Sequence, residues 1–139
     1  MHVPAFSIFS AISELVVTAG VIFVIRRNWQ RRNFPLPVFL GVVLFEALVN
    51  VLYMSHRASQ AASGTVATAA GMKLFFAIHG MISLLAFIVF VVLGVFAYQD
   101  QKRGIYFFRE RPGLTWTFLM VWTISIVSGE AIFVVRYLL

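Results

Sequence analysis

Four stretches of this chain are each long and apolar enough to cross a lipid bilayer as a helix. A membrane-spanning helix needs about 20 mostly apolar residues, because it rises about 1.5 Å per residue through a hydrocarbon core about 30 Å thick. The stretches are continuous rather than alternating, and four strands cannot close a barrel, so helices are the expected spanning form. We therefore predict an all-α integral membrane protein, a four-helix bundle formed by one domain over residues 1–139, with spans at about 4–25, 36–54, 74–98 and 114–135.

The composition argues against most soluble functions. Hydrophobic residues make up 61% and charged residues 12% of the chain, and the mean hydropathy is +0.94, whereas soluble domains are about half apolar and about a quarter charged. The lack of cysteine excludes disulfides, iron–sulfur clusters, thiolate zinc sites and cysteine nucleophiles. No glycine-rich phosphate loop, Ser-His-Asp constellation or His-Glu-x-x-His motif is present in the sequence. We therefore expect a protein that is not an enzyme, that binds no nucleic acid and that lies in the lipid bilayer.

The basic residues predict the orientation of the spans. The first and third connections between spans carry eight Lys and Arg residues, whereas the opposite side carries only Arg57, Lys73 and Arg136. Positive residues are retained on the cytoplasmic side, so both termini are expected on the extracytoplasmic side. The eight cytoplasmic residues are Arg26, Arg27, Arg31, Arg32, Lys102, Arg103, Arg109 and Arg111.

Two connections are long enough to have structure of their own. Residues 58–71, between spans 2 and 3, are rich in Ala, Ser, Gly and Thr, and are expected to form a short surface helix or a flexible loop. Residues 99–113, between spans 3 and 4, are charged and aromatic, and are expected to lie along the cytoplasmic interface. Neither connection is long enough to form a soluble domain.

Ionisable side chains inside the spans are the candidate functional residues. Each charged group at a helix centre costs about 2.5–3.5 kcal/mol on insertion scales, and such residues are functional candidates by default. Every span has one, in the middle or extracytoplasmic half of the bilayer, and an asparagine lies one helical turn from the second of them. In a single bundle these groups could converge, and Ser125, Ser128 and Gly129 give span 4 a small face for close packing. The predicted polar cluster consists of Glu14, Glu46, Asn50, His79 and Glu130.

Four interpretations of this cluster stand beside one another. The carboxyls are protonated and hydrogen-bonded within the bundle, or a glutamate pairs with a cation or an Arg from another subunit. A third interpretation is a metal site, because carboxylates and histidine occur together in four-helix di-iron proteins, although the Glu-x-x-His spacing of those proteins is absent here. The fourth is a proton or cation pathway. The candidate metal ligands are Glu14, Glu46, His79 and Glu130.

The histidines raise the separate hypothesis of a bound haem. His79 is the internal candidate for an axial ligand, and His56 lies on the same extracytoplasmic side, so the two could form a pair. A chlorin, or a haem with a weak second ligand, could also use His79 alone. The structural alternative for His56 is an ordinary interfacial residue. For His79 it is a hydrogen-bonded residue of the bundle, so no cofactor is the simpler expectation.

Three segments carry a resemblance to a known family. Span 2 ends in VLYMSHR at residues 51–57, span 3 opens with FFAIH at residues 75–79, and span 4 contains WTISIVSG at residues 122–129. These segments resemble the YozB/CtaM type of small four-helix bacterial membrane proteins, which are associated with maturation of haem-copper cytochrome oxidase. Of the family's histidine positions only His79 is matched, because residues 32–35 and 109–112 contain no histidine.

The resemblance implies an accessory protein of a bacterial inner-membrane respiratory or electron-transfer complex, as a maturation factor or a small structural subunit. The partner would then be a larger membrane protein complex, and the polar cluster would supply buried hydrogen bonds or one cofactor ligand. A haem- or metal-binding redox protein using His79 is the second hypothesis. The third is a proton-coupled transporter, because Glu14 is similar to the embedded glutamate in the first span of small multidrug resistance transporters.

Overall fold

The computed structural model describes residue 3, residues 5–62 and residues 70–139, and it consists of helices joined by short connections. Four helices are long and apolar enough to cross a membrane, which confirms the predicted all-α four-helix fold. A fifth, single-turn helix lies in the last connection. The helices are α1 (Ala5–Trp29), α2 (Leu36–Ala62), α3 (Ala70–Gln101), α4 (Phe107–Glu110) and α5 (Pro112–Tyr137).

The helix boundaries follow the proline and glycine positions. Pro112 is in the first turn of α5, where its missing N–H is not needed. Helix α3 ends in a Schellman motif, in which the N–H of Ile105 donates to the carbonyl of Asp100 and the N–H of Gly104 donates to that of Gln101, both at 2.9 Å. Gly104 adopts a φ of +76°, a left-handed conformation that glycine accepts at no steric cost.

The four long helices form a ring in the order α1, α2, α3, α5, with each helix packed against the next. Between them lies a core in which aromatic rings meet. The ring of Phe90 is fully buried and stands 5.3 Å from that of Phe39 on α2 and 5.8 Å from that of Trp122 on α5, measured between centroids. This aromatic layer joins three of the four helices at one level.

Helix α4, in the third connection, packs against α1, α3 and α5, so that Phe107 and Phe108 are buried. Asn28 of α1 accepts a hydrogen bond from the Phe108 N–H at 3.0 Å, and Thr115 donates to the Phe108 carbonyl at 2.8 Å. Because these bonds satisfy the backbone at Phe108, the two rings can pack inward and close this end of the bundle. The position of the connection along the cytoplasmic interface stays a prediction.

Part of the predicted connection between α2 and α3 belongs to these two helices, which are longer than the predicted spans. Helix α2 continues to Ala62 and α3 begins at Ala70, so the first residues of the predicted surface segment extend α2. Residues 63–69 of that segment lie outside the described residues. Arg57 is therefore still within α2, close to its end.

Much of the bundle surface is apolar and exposed, as a lipid environment requires. Helix α2 is the least covered of the four spans, and Leu44, Leu48 and Val51 are each 59–69% exposed along it. Together with the four spanning helices, this surface identifies a multi-pass membrane protein. The end of the bundle where α1 begins and α5 ends is called the termini end.

Candidate functional site

Side chains from α1 and α3 meet over the backbone of α5 at Gly129. A Cβ atom placed on this glycine would lie 2.9 Å from Glu14 Oε2, 3.0 Å from His79 Cε1 and 3.3 Å from His79 Nε2. The glutamate carboxyl and the imidazole therefore both occupy space that any larger residue would fill. This close approach is the structural reason for a glycine at position 129, and it brings together two of the predicted site residues.

The hydrogen bonds of Ser128 indicate which nitrogen of His79 carries the hydrogen. His79 Nδ1 lies 2.7 Å from Ser128 Oγ, and Ser128 Oγ lies 2.8 Å from the carbonyl oxygen of Ser125. A hydroxyl has one hydrogen, and the carbonyl can only accept, so the serine donates to the carbonyl. Nδ1 must then carry a hydrogen and donate it to the serine. In this tautomer Nε2 carries the lone pair of the neutral imidazole, on the side of the ring beside Gly129, which Glu14 Oε2 also approaches.

Two further carboxyls surround this pair. Glu14 is within electrostatic range of Glu130 on α5 and of Glu46 on α2. In the described part of the chain, Glu130 Oε1 is buried and has no hydrogen-bond partner, and no direct hydrogen bond joins Glu14 to His79. The result is a set of acceptor groups with few donors, in the part of the bundle nearer the termini end.

Hydroxyl groups tie the helices together around this set. Ser83 of α3 and Ser125 of α5 are hydrogen-bonded at 2.7 Å between their oxygens. Trp122 Nε1 of α5 donates to Thr18 Oγ1 of α1 at 3.1 Å. Ser125 was expected on the small face of span 4, whereas Trp122 was not a candidate. The signal that could have found it is the single indole N–H, which requires an acceptor when it is buried in an apolar helix.

Glu46 and Asn50 form a separate pair on α2. Asn50 Nδ2 donates to the backbone carbonyl of Glu46 at 2.9 Å and to its Oε1 at 3.1 Å. Glu46 is partly buried, whereas Asn50 is exposed on the surface of the bundle. The predicted helical spacing therefore does place the two together. However, their hydrogen bonds are to each other rather than to the cluster at Gly129, and Asn50 lies at the outer side of α2 while the Glu46 carboxyl is within electrostatic range of Glu14.

His56 lies at the termini end, away from the hydrogen bonds of His79. It is exposed, and its ring centroid stands 5.0 Å from that of Phe6 in a tilted arrangement. An aromatic contact near the end of a span agrees with the interfacial interpretation of this residue.

The surroundings of His79 do not fit a haem ligand. Its Nδ1 is hydrogen-bonded to Ser128, and its Nε2 faces the backbone of α5 at Gly129. A porphyrin is a wide plane that extends to all sides of the axial nitrogen, and α5 occupies that space. We therefore derive no chemistry through a haem.

A metal centre also lacks a matching arrangement. Within residues 3, 5–62 and 70–139, no group of three or more His, Cys, Asp or Glu side chains could hold a metal ion. The predicted metal site at Glu14, Glu46, His79 and Glu130 stays a prediction.

The geometry thus offers two places with unbalanced polar chemistry in the membrane: the interior groups at Gly129 and the surface pair on α2. Comparison of the chain with protein-family models, with curated proteins and with solved structures found no match.

Proposed function

We propose that the protein is a small accessory subunit, or a maturation factor, of a larger bacterial inner-membrane complex that transfers electrons. The observation that carries the proposal is the pair Glu46 and Asn50 on the least covered span. A polar pair on a lipid-facing surface is unfavourable unless another helix covers it.

The hydrogen bonds that Glu46 and Asn50 already make indicate which groups a partner helix must supply. Asn50 uses both hydrogens of its amide within α2, on the carbonyl and the Oε1 of Glu46. Its own carbonyl oxygen and the second carboxyl oxygen of Glu46 have no partner among the described residues. The Asn50 oxygen is an acceptor, and the second Glu46 oxygen accepts when the carboxyl is ionised and donates when it is protonated. The covering helix should therefore present at least one donor, such as Arg, Lys, Asn or Ser, at this depth.

The surrounding surface suits a transmembrane helix. Leu44, Leu48 and Val51 are strongly exposed along the same helix as the pair. Apolar side chains around a central hydrogen-bonded pair are the usual composition of helix contacts in membranes. The assignment to an electron-transfer complex rests on the resemblance of spans 2–4 to the YozB/CtaM type.

Co-purification in a mild detergent tests the proposal. The tagged chain is expected to recover subunits of an oxidase, a cytochrome complex or a photosynthetic complex in stoichiometric amounts, identified by mass spectrometry. Replacing the pair, as Glu46→Leu with Asn50→Leu, should remove the partner because the donor on its helix loses both acceptors. Thr123→Val is the matched control, since the exposed Thr123 hydroxyl bonds only the backbone of its own helix. Recovery of the wild-type chain alone, or as a small homo-oligomer, would refute the proposal.

A second candidate function is proton-coupled transport, and the convergence of Glu14 and His79 at Gly129 favours it. An embedded carboxyl can exchange a proton for a cationic substrate, as the similarity of Glu14 to the small multidrug transporters suggests. Adding the lipophilic cation tetraphenylphosphonium to weakly buffered protein in detergent should then release protons. Glu14→Gln should abolish this release and Glu46→Gln should leave it intact. Wild-type protein that releases no protons would argue against transport.

A further inference from the structure

Two arginines from different helices converge on one aromatic ring at the termini end. The guanidinium carbon of Arg57, on α2, lies 4.5 Å from the centroid of the Phe76 ring on α3. The guanidinium carbon of Arg136, on α5, lies 5.6 Å from the same centroid. Three helices therefore bring two positive charges to the surroundings of one ring. Attraction between a cation and an aromatic face helps to hold each guanidinium in place.

Among the described residues, no acidic side chain forms an ion pair with either arginine. Arg57 NH1 donates to the hydroxyl of Tyr53 at 3.1 Å, which is a neutral partner. The ion pair found among the described residues joins Arg111 to Asp100 near the opposite end. Lys73, one turn before Phe76 in α3, is exposed and adds a third positive charge to the same end. Because the two guanidinium groups repel each other, an anion bound between them would be attracted to both and would offset their repulsion.

The position of the arginines in the fold indicates what kind of anion this is. Arg136 lies in the last turn of α5 and Arg57 lies five residues before the end of α2, with Tyr53 and Tyr137 in the same region. Tyrosine and arginine at the ends of spans mark the level of the lipid headgroups. At this level the most abundant anionic group is the phosphate of a phospholipid, and guanidinium groups bind phosphate through paired hydrogen bonds.

We propose that Arg57 and Arg136, held against Phe76, form a binding site for the phosphate of an anionic phospholipid. The unbalanced positive charge selects a headgroup with a net negative charge, such as phosphatidylglycerol. A choline headgroup carries the same phosphate but adds a further positive charge beside the arginines. The acyl chains would lie along the apolar surface below the site.

Competition between lipids tests the site. Wild-type protein is placed in vesicles or nanodiscs that contain equal amounts of phosphatidylglycerol and phosphatidylcholine. The protein is then released from the lipid bilayer in the mass spectrometer under native conditions, and the lipid molecules that stay bound to it are counted. Wild-type protein should retain phosphatidylglycerol in preference. The variant Arg57→Gln with Arg136→Gln should lower this preference by about tenfold or more, because it removes two charge-assisted contacts.

Matched variants separate the site from general electrostatics and from misfolding. Arg31→Gln with Arg32→Gln removes the same charge at the opposite end and should leave the preference unchanged. Arg57→Lys with Arg136→Lys keeps the charge but loses the paired hydrogen bonds, and should give an intermediate preference. Circular dichroism and gel filtration confirm that each variant is folded. Glycerol phosphate, which has no acyl chains, should not displace the lipid at millimolar concentration.

Three results would overturn the proposal. The first is equal retention of both lipids by the wild-type protein, and the second is an unchanged preference in the double glutamine variant. The third is displacement by glycerol phosphate or by an acidic protein subunit, because the arginines would then serve a soluble phosphate or a protein carboxylate.

Discussion

Replacing Gly129 by alanine tests the close approach of α1 and α3 to α5. The added Cβ would stand 2.9 Å from Glu14 Oε2 and 3.0 Å from His79 Cε1, whereas carbon atoms in good contact are about 3.5–4.0 Å apart. The Glu14 carboxyl can turn aside, because it is the end of a flexible side chain. The imidazole is held by its 2.7 Å hydrogen bond to Ser128, so it must break this bond or move α3 outward.

The expected magnitude follows from two destabilising terms and one stabilising term. Overpacking costs about 1–3 kcal/mol, and loss of one hydrogen bond costs about 0.5–1.5 kcal/mol. Alanine returns up to about 1 kcal/mol through its better helix propensity. We therefore expect Gly129→Ala to lower the free energy of unfolding by about 0.5–3.5 kcal/mol. The measurement is reversible unfolding in mixed micelles, followed by circular dichroism and tryptophan fluorescence.

Gly80→Ala is the matched control, because this glycine is next to His79 in the same bundle and a Cβ on it meets nothing within 4 Å. It should be neutral or slightly stabilising. The effect of Gly129→Ala should shrink in a His79→Ala background, since the rigid neighbour is then gone. If Gly129→Ala were as stable as Gly80→Ala, or lost the same stability without His79, the inferred contact at Gly129 would be wrong.

Two further predictions concern single hydrogen bonds. Ser128→Ala removes the acceptor of His79 Nδ1, so the imidazole should no longer be fixed as the Nδ1–H tautomer. Nitrogen-15 NMR of labelled histidine measures this change. Unchanged nitrogen chemical shifts would refute the tautomer assignment. Asn28→Ala leaves the buried N–H of Phe108 without its acceptor and should destabilise the protein by about 1–3 kcal/mol. The same unfolding method measures this loss. As the control, Thr123→Val should change stability by less than about 0.5 kcal/mol. A stable Asn28→Ala protein would mean that α4 is not held by this bond.

The sequence predicted the number and type of the elements well, because long apolar stretches permit little else in a membrane. It also placed one ionisable group in each span and a small face at Ser125, Ser128 and Gly129. It did not indicate which groups would meet, since helix rotation depends on packing between helices. Glu14 and His79 meet at Gly129, whereas the hydrogen bond of the Glu46 carboxyl is to Asn50 on its own helix.

The burial of α4 could not be predicted for a different reason. A short run of aromatic residues beside arginines is typical of an interfacial segment. What brings Phe108 inward is the side chain of Asn28, eighty residues earlier, which accepts its backbone N–H. A bond over this sequence separation leaves no local pattern. The predicted orientation of the termini stays a prediction, as do the electron-transfer assignment and the metal site.

The distribution of polar and aromatic side chains along the bundle has a consequence for access from the two sides of the membrane. Moving inward from the termini end, Ser7 and Tyr137 are hydrogen-bonded first, and Glu14 and His79 come after them. Next comes the aromatic layer around Phe90, and then Phe108 closes the opposite end. In this conformation the Phe90 layer and Phe108 lie between the interior glutamate and the end of the bundle opposite the termini end. Transfer of a proton through the whole bundle would therefore require Phe90 and its neighbours to move apart.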